Sequence, residues 1–405
     1  MEKKKKKWIR TRHRVIWTVG EFLLKPWNRF LFGADIDPFP AQGDRNWLIL
    51  ANHQTPYDQF FIGTTFRRPV YYLASEDLFS KKWITAVIRW GVEPIPIVKN
   101  TTDLKAIRNC IRVAREGGSI AIFPEGNRTY SGKTEYINPA IAKLAKMLQL
   151  PIALYRIEGG FGLQPRWSDR IRRGKVRTSV SRVIEPEEYA KYSDEQLFAE
   201  IREGLAVNDC RPDGNRYRSG RRAEYLERAA YVCPWCGLAT FRSRGNRIRC
   251  ESCGREIEYG EDLRLKGVGY DFPFLWYTDW YDYQNAFIRS LDLQAYRETP
   301  AFRDTADLYQ VILRQGRNLL RGKAAFALYG DRITIDEQGQ EPLSLPFREI
   351  TAATVLGRNK LNLYLGETVY QVKGDPRFNA LKYVNFYYRY RMLTGDSKDG
   401  EFLGL

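Results

Sequence analysis

Hydrophobic positions along the chain fall into three regimes. Near the N-terminus, Trp8, Ile16, Val19, Leu23, Trp27, Phe30 and Leu31 recur at mostly helical spacing, with Arg10, Arg12, Arg14 and Lys25 between them. That pattern predicts a basic amphipathic helix with a kink at Pro26. From Trp47 onward, short unbroken apolar runs take over: WLILAN, VYYLAS, VEPIPIV, SIAIFP, PIALYRI and VRTSVSRVI. Such runs, separated by helical stretches like DLKAIRNCIRVAREG, predict at least six strands in an α/β unit with a largely parallel central sheet and flanking helices. A closing helix follows in SDEQLFAEIREGLAV, where Leu197, Ile201 and Leu205 stand four apart and Ser193 is placed to cap it. The third regime starts at about Ala324, where AAFALYGDRITID, LSLPFREITAATVL and KLNLYLGETVYQVKG alternate as strands, and PRFNALKYVNFYYRYRML reads as a final helix.

Charge changes this picture. A formal net charge of +17 over 405 residues draws anionic partners: nucleic-acid phosphates, phospholipid headgroups or acidic carrier proteins. The N-terminal segment, with Lys3 to Lys7 ahead of tryptophans, then has two readings. It is either a solubilising tail on a helix that packs against the body, or a helix lying in a membrane interface. Glu21, Lys25, Pro26 and Arg29 interrupt every apolar stretch here, well short of the roughly 18–20 apolar residues of a spanning helix. The segment also lacks the compact apolar core and small-residue site of a cleaved signal. A cytoplasmic protein, peripheral on the cytoplasmic membrane face, is the expectation.

Imidazole is scarce, with two histidines against 65 Lys and Arg. One of them, His53, follows WLILAN directly in NHQTPYDQFF and precedes Asp58 by five positions. At a strand-to-helix junction this pair reads either as a proton-abstracting dyad, with the carboxylate holding the ring, or as a structural hydrogen bond. A second stretch, GGSIAIFPEGNRTYSG, ends a strand in Glu125, Gly126, Asn127 and Arg128. Backbone amides at a glycine turn and a forked guanidinium suit an oxyanion or phosphate.

Together NHQTPYD and FPEGNRT resemble the hallmarks N-H-x-x-x-x-D and F-P-E-G-x-R-S/T of the glycerolipid acyltransferases, typified by bacterial 1-acyl-glycerol-3-phosphate (lysophosphatidic acid) acyltransferases, over roughly residues 30–210. GVEPIPIVKN is similar to that family's middle motif, with Lys99 where Arg is usual, and LPIALYRI keeps a single proline, Pro151, where the family has two. The resemblance implies that His53 takes the proton from an acceptor hydroxyl attacking an acyl thioester, while Asp58 fixes the imidazole. Lys99 and Arg128 would hold the acceptor phosphate, Glu125 would support the turn and the acceptor, and an amide near Gly126 would face the oxyanion. The implied reactants are lysophosphatidic acid and an acyl carrier protein or coenzyme A thioester, with phosphatidic acid as product. A serine hydrolase would need His53 for itself, because His13 lies in the basic tail.

Four of the six cysteines form CPWCG and CESCG: Cys233, Cys236, Cys250 and Cys253. Two CxxC pairs separated by thirteen residues are the ligand set of a zinc ribbon, closed and therefore structural. Redox pairs are disfavoured in a cytoplasmic setting, and isolated Cys110 and Cys210 read as small packed side chains. Beyond the ribbon, the alternating strands and last helix resemble a PH-like domain in architecture alone. The expected order is an interface segment at 1–35, an acyltransferase domain at 36–210, an arginine-rich connector at 211–230, a zinc ribbon at 231–258, and an aromatic-rich region at 259–405 containing a small α+β PH-like domain at about 320–395. Anionic membrane lipids are the expected surface partners. Nucleic acid is disfavoured, because the ribbon offers only Trp235 and Phe241 as stacking rings. The alternatives are an acyltransferase acting on a different glycerolipid or lyso-lipid acceptor, and a catalytically silent lipid-binding scaffold, which the intact His53, Asp58, Glu125 and Arg128 set opposes.

Overall fold

The computed structural model describes residues 7–75, 86, 88, 90–97, 103–212, 214–312 and 316–395. The chain divides into two compact units and, among the described residues, passes between them at 163/164, 172/173 and 217/218.

In the first unit, all six apolar runs are strands. With the additional β1 (Ala34–Ile36), the strands β2 (Leu48–Ala51), β3 (Val70–Ser75), β4 (Ile95–Ile97), β5 (Ser119–Ile122), β6 (Ile152–Glu158) and β7 (Val176–Ile184) form a sheet of order β1-β7-β6-β2-β5-β3-β4. Its centre is parallel, β6 with β2, β2 with β5 and β5 with β3, whereas β7 runs antiparallel to β6. β2 and β5 are buried at every position, as unbroken apolar runs inside a parallel sheet must be. Leu50, Ile120 and Leu154 on adjacent strands are wholly buried, each worth about 1.5–3 kcal/mol over exposure.

Helices complete this core. Leu104–Arg115 is capped by Asp103, whose carboxylate accepts from the amides of Lys105 and Ala106, and it buries Ala106, Cys110 and Val113. Ala140–Leu148 contributes Ile141, Ala142, Ala145 and Leu148. Asp194–Gly204 starts in a capping box between Ser193 and Gln196 and buries Leu197 and Ile201. Cys110 is packed away from water, which pushes its thiol up to about 12, and the Cys210 thiol donates to Ser131 O at 3.0 Å.

The N-terminal helix α1 (Thr11–Phe32) runs through Pro26 as a single element. It is both a packed helix and an exposed apolar one. Trp17 Nε1 donates to Phe66 O at 2.8 Å, and Asn28 Nδ2 to Phe60 O at 3.1 Å. His13, expected in a solvated tail, is buried, and its Nδ1 lies 3.0 Å from the Tyr71 hydroxyl. Opposite these contacts Val15, Val19, Phe22, Leu23 and Phe30 face solvent, Phe30 at 92% exposure. Among the described residues no helix is long and apolar enough to cross a membrane.

The second unit contains a short ladder of Val232–Cys233 with Gly237–Leu238, and a four-stranded antiparallel sheet of Phe241–Arg244, Arg247–Cys250, Glu256–Tyr259 and Leu265–Gly267. It also holds a seven-stranded antiparallel sheet and the helices Tyr277–Ser290 and Leu381–Leu393. The larger sheet begins at Phe302, ahead of the alternation from Ala324; the register irregularities opposite 306–309 fall in its second strand, Gly316–Leu328, just before Ala324. The last helix docks through Lys382 and Tyr383 on Asp304 and through the Tyr387 hydroxyl on Ile350 O.

In the arginine-rich connector Arg222 and Arg228 are interior, whereas Arg211, Arg216, Arg218 and Arg221 are exposed. Arg222 donates to Tyr259 O at 2.9 Å and Ser219 O at 2.7 Å, and both side-chain ends of Arg228 grip Asp169 at 2.8 and 3.0 Å. Gln164–Arg172 also belongs to this unit, where Arg166 donates to Val355 O and Gly357 O.

Candidate active site and cysteine cluster

The site forms where β2 and β5, neighbours in the parallel centre, end side by side, a usual place for ligands in such sheets. Asn52 locks the exit of β2. Its amide donates to Ile157 O and its carbonyl oxygen accepts from Ile157 N, both at 2.8 Å. His53 follows, and helix α2 (Asp58–Thr65) starts at the carboxylate five residues on.

Asp58 serves as the hub of this turn. One oxygen accepts from His53 Nδ1 at 2.8 Å and from Gln54 N at 2.7 Å; the other accepts from the Thr55 hydroxyl at 2.6 Å, and Thr55 N reaches both. A carboxylate only accepts, so the imidazole proton sits on Nδ1 and Nε2 is the basic nitrogen. The side chain of Asp58 is sealed at 0% exposure while that of His53 keeps 20%, so the pair is anchored from inside and reachable from outside.

The second motif is laced directly onto the first. Glu125 Oε1 accepts from His53 N and Oε2 from Glu135 N, each at 2.8 Å. Thr129 N donates to His53 O at 3.0 Å, and the Phe123 ring stacks on the imidazole at 4.2 Å and 18°. Burial pushes the Glu125 carboxyl up to about 8, helped by the charges of Glu135 and Asp58, against the pull of its two N–H donors toward the anion. Both Glu125 oxygens are thus occupied by backbone, which makes the residue a brace for the turn.

Gly126 sits exposed at the tip with φ +70, a conformation that favours glycine, and its own amide donates to Phe123 O at 2.9 Å. An oxyanion donor in this loop therefore has to come from a neighbouring peptide. Arg128 is half-buried beside Thr129, on the loop tied to His53. Lys99 lies outside the described residues.

Phe123, the first residue of the second motif, lies under the ring, and two residues that the motifs leave unspecified complete the arrangement: Thr55 on Asp58, and Glu135, whose carboxylate accepts from the hydroxyls of Thr129 and Ser131. Asp209 is a further buried acid, accepting from Phe161 N at 3.1 Å. Burial pushes it up to about 7 against its backbone donors.

In the second unit the sulfurs of Cys233, Cys236, Cys250 and Cys253 all lie within 4.8 Å of one another, with Cys233 and Cys253 at 3.9 Å. Disulfides need about 2.05 Å, whereas a tetrahedron of thiolates around Zn²⁺, with bonds of about 2.3 Å, has edges of about 3.8 Å. The donor set fits a structural zinc ion and leaves no ligand position open.

Residues 35–156 match the family model described as Acyltransferase. Over 163 residues the chain is 20% identical to a Bacillus subtilis (strain 168) 1-acyl-sn-glycerol-3-phosphate acyltransferase, covering 40% of this chain and 78% of that one. Over 164 residues it is 28% identical to the protein of the same name from Borreliella burgdorferi, covering 40% of this chain and 64% of that one. The crystal structure of the 1-acyl-sn-glycerophosphate (LPA) acyltransferase PlsC from Thermotoga maritima aligns with a TM-score of 0.42 and 22% identity, over 49% of this chain and 80% of that one.

Proposed function

We propose, from the premise that residues 35–156 are an acyltransferase-family domain, that the chain moves an acyl group from a thioester to the free hydroxyl of 1-acyl-glycerol-3-phosphate, giving phosphatidic acid. The observation that carries this reading is the bond from His53 Nδ1 to the sealed Asp58 carboxylate at 2.8 Å. It makes Nε2 a fixed base. Nε2 takes the acceptor's hydroxyl proton as that oxygen attacks the thioester carbonyl. The tetrahedral intermediate collapses with loss of the thiolate, which recovers the proton from the imidazolium. Asp58 stabilises that cation, and positioned base catalysis of this kind supplies about 10²–10⁴ in rate.

Arg128 and Lys99 supply forked and point cations for the acceptor phosphate. Glu125 acts by positioning, since its bonds hold the backbone of His53 and of Glu135. The thioester is carried by an acyl carrier protein or coenzyme A. The four cysteines hold one structural Zn²⁺, whose contribution is to fold the ribbon around them. The seven-stranded sheet with its final helix is a PH-like domain of regulatory or interaction type. The exposed stripe of α1, with Lys and Arg around it, supports a peripheral seat on an anionic bilayer that contains the acceptor.

The deciding experiment gives purified protein lysophosphatidic acid or the matching monoacylglycerol without phosphate, each with carrier-bound and coenzyme-bound acyl donors, and measures products by mass spectrometry. Phosphatidic acid should form, with the phosphate-bearing acceptor preferred about tenfold or more. No transfer, or equal use of both acceptors, would overturn the reading.

A further inference from the structure

The stretch FRSRGNRIRC alternates, so Phe241, Ser243, Ile248 and Cys250 are buried while Arg242, Arg244, Arg247 and Arg249 all face solvent. The register of this hairpin sets Arg242 directly opposite Arg249, and Arg244 directly opposite Arg247. Like charges in direct cross-strand register destabilise a sheet. Local acids relieve only part of this. Arg242 has Glu251 at 3.4 Å, and Arg247 has Glu256 and Glu258 at 3.6 and 4.0 Å. Among the described residues no carboxylate forms an ion pair with Arg244 or Arg249.

The hairpin holding this grid is clamped at both ends. At its turn, Gly245 N donates to Glu224, Ala223 N to Gly245 O, Arg222 N to the side-chain oxygen of Asn246, and Tyr259 N to Asn246 O. At its base, Cys250 belongs to the four-sulfur cluster. Four arginines, with no lysine among them, therefore stand on a rigid frame about 4.8 Å apart across strands and about 6.8 Å along them. Forked guanidiniums rooted at that spacing can reach one or two tetrahedral phosphates, and the clamped hairpin spares the backbone share of the ordering cost.

We infer that this face docks on an anionic lipid bilayer, its arginines taking headgroup phosphates. A nucleic acid fits less well. Arg247–Cys250 is paired on its other side with Glu256–Tyr259, so the hairpin is part of a four-stranded sheet too broad for a groove that admits a two-stranded ribbon. Glu256 and Glu258, opposite Arg249 and Arg247 on the next strand, would repel a phosphate backbone continuing across the sheet, and they confine the positive field to two strands. No aromatic ring stands among the four arginines to stack a base. The inference is separate from the acyl-transfer reading, because its test measures binding and not turnover.

The full chain, loaded with zinc, is sedimented with vesicles of phosphatidylcholine alone or with phosphatidic acid added, and in parallel titrated with a short single-stranded oligonucleotide. Replacing all four arginines with glutamine should lower the preference for anionic vesicles by about tenfold or more, leaving zinc content and binding to neutral vesicles unchanged. An unchanged preference would overturn the inference, as would loss confined to the oligonucleotide. If that variant fails to keep its zinc, the pair Glu256→Gln and Glu258→Gln decides. Widening the positive field should raise the anionic preference several-fold, and no rise would overturn it.

Discussion

The His53 turn and the four-cysteine cluster solve the same problem in opposite ways. In the first, several chemically demanding groups converge and the chain itself satisfies them: Asp58 accepts from two backbone amides, a hydroxyl and the imidazole, and Glu125 accepts from two more amides. In the second, four sulfurs converge on the ends of small hairpins, which the helix Tyr277–Ser290 ties down through Gln284 on Tyr231 N and Trp280 on Val232 O. The difference teaches where each region's stability comes from. One is built by hydrogen bonds already made and can lose its chemistry without losing its shape. The other gathers four thiols, and on the proposed zinc reading its shape depends on the cation they share.

The largest effect should follow from metal removal. Chelation, or Cys233→Ser with Cys250→Ser, should forfeit about 10 kcal/mol or more of metal-coupled folding, seen as loss of one Zn²⁺ per chain and of amide protection from 231 to 259. Retained protection in metal-free protein would erase the contrast between the two sites. Next in size is His53→Ala, expected to cut kcat by about 10²–10⁴. Its melting curve should fall modestly, since the variant loses the ring's stacking on Phe123, about 0.5–1.5 kcal/mol, and one donor to Asp58, which keeps Gln54 N, Thr55 N and the Thr55 hydroxyl. A variant that unfolds would show that the turn depends on its base after all.

Glu125→Gln sharpens the comparison, because it places an amide N–H against one of two backbone donors and should cost about 1–3 kcal/mol. It also carries a pH signature. Glu125 and Asp209 are raised to about 8 and about 7 from ordinary values of 4.5 and 3.8, so between those limits the folded chain binds more protons than the unfolded one. Stability should therefore be greatest near pH 4 for these groups and fall as pH rises toward 8, by up to about 1.4 kcal/mol per unit for each proton. In Glu125→Gln the slope should flatten by one proton's worth, measurable as denaturant midpoints across pH. A slope that stays the same would assign it elsewhere. The smallest effect expected is Gly126→Ala. An added Cβ meets nothing within 4 Å, so only the positive φ is penalised, by about 1 kcal/mol, and kcat should change more than the melting temperature.

How much of this was legible depends on the range of the forces involved. Six strands, the Ser193 cap and the burial of Leu197 and Ile201 follow from local periodicity. His53 and Asp58 are five apart, and each CxxC pair is closer still, so spacing alone brings their atoms near one another. Glu125 was visible as an acid, but its bond to His53 N spans 72 positions, and nothing in its neighbourhood signals Glu135 as its second partner. The connector was legible only as a composition. Arginine reads as a solvated residue, yet a guanidinium has five N–H donors and is content in the interior wherever carbonyls converge, as Arg222 and Arg228 find at Ser219, Tyr259 and Trp167. The excursion of Gln164–Arg172 into the second unit has no local marker, because the partners of Arg166 lie about 190 positions away. His13 was misplaced for the same reason: its burial depends on Tyr71, 58 residues on.

That burial makes the chain a convenient spectroscopic object. There are two imidazoles in 405 residues. Burial first, then the charges of Arg12 and Arg10, push His13 down to about 4. Protein labelled with ¹⁵N at histidine should give two sets of ring signals, and the His13 set should stay in its neutral form through the whole range in which enzymes are assayed. Any ring resonance that moves with pH near neutrality, or on addition of acyl donor or acceptor, then reports His53 alone without assignment by mutation. The protonation state of the proposed base becomes readable during turnover.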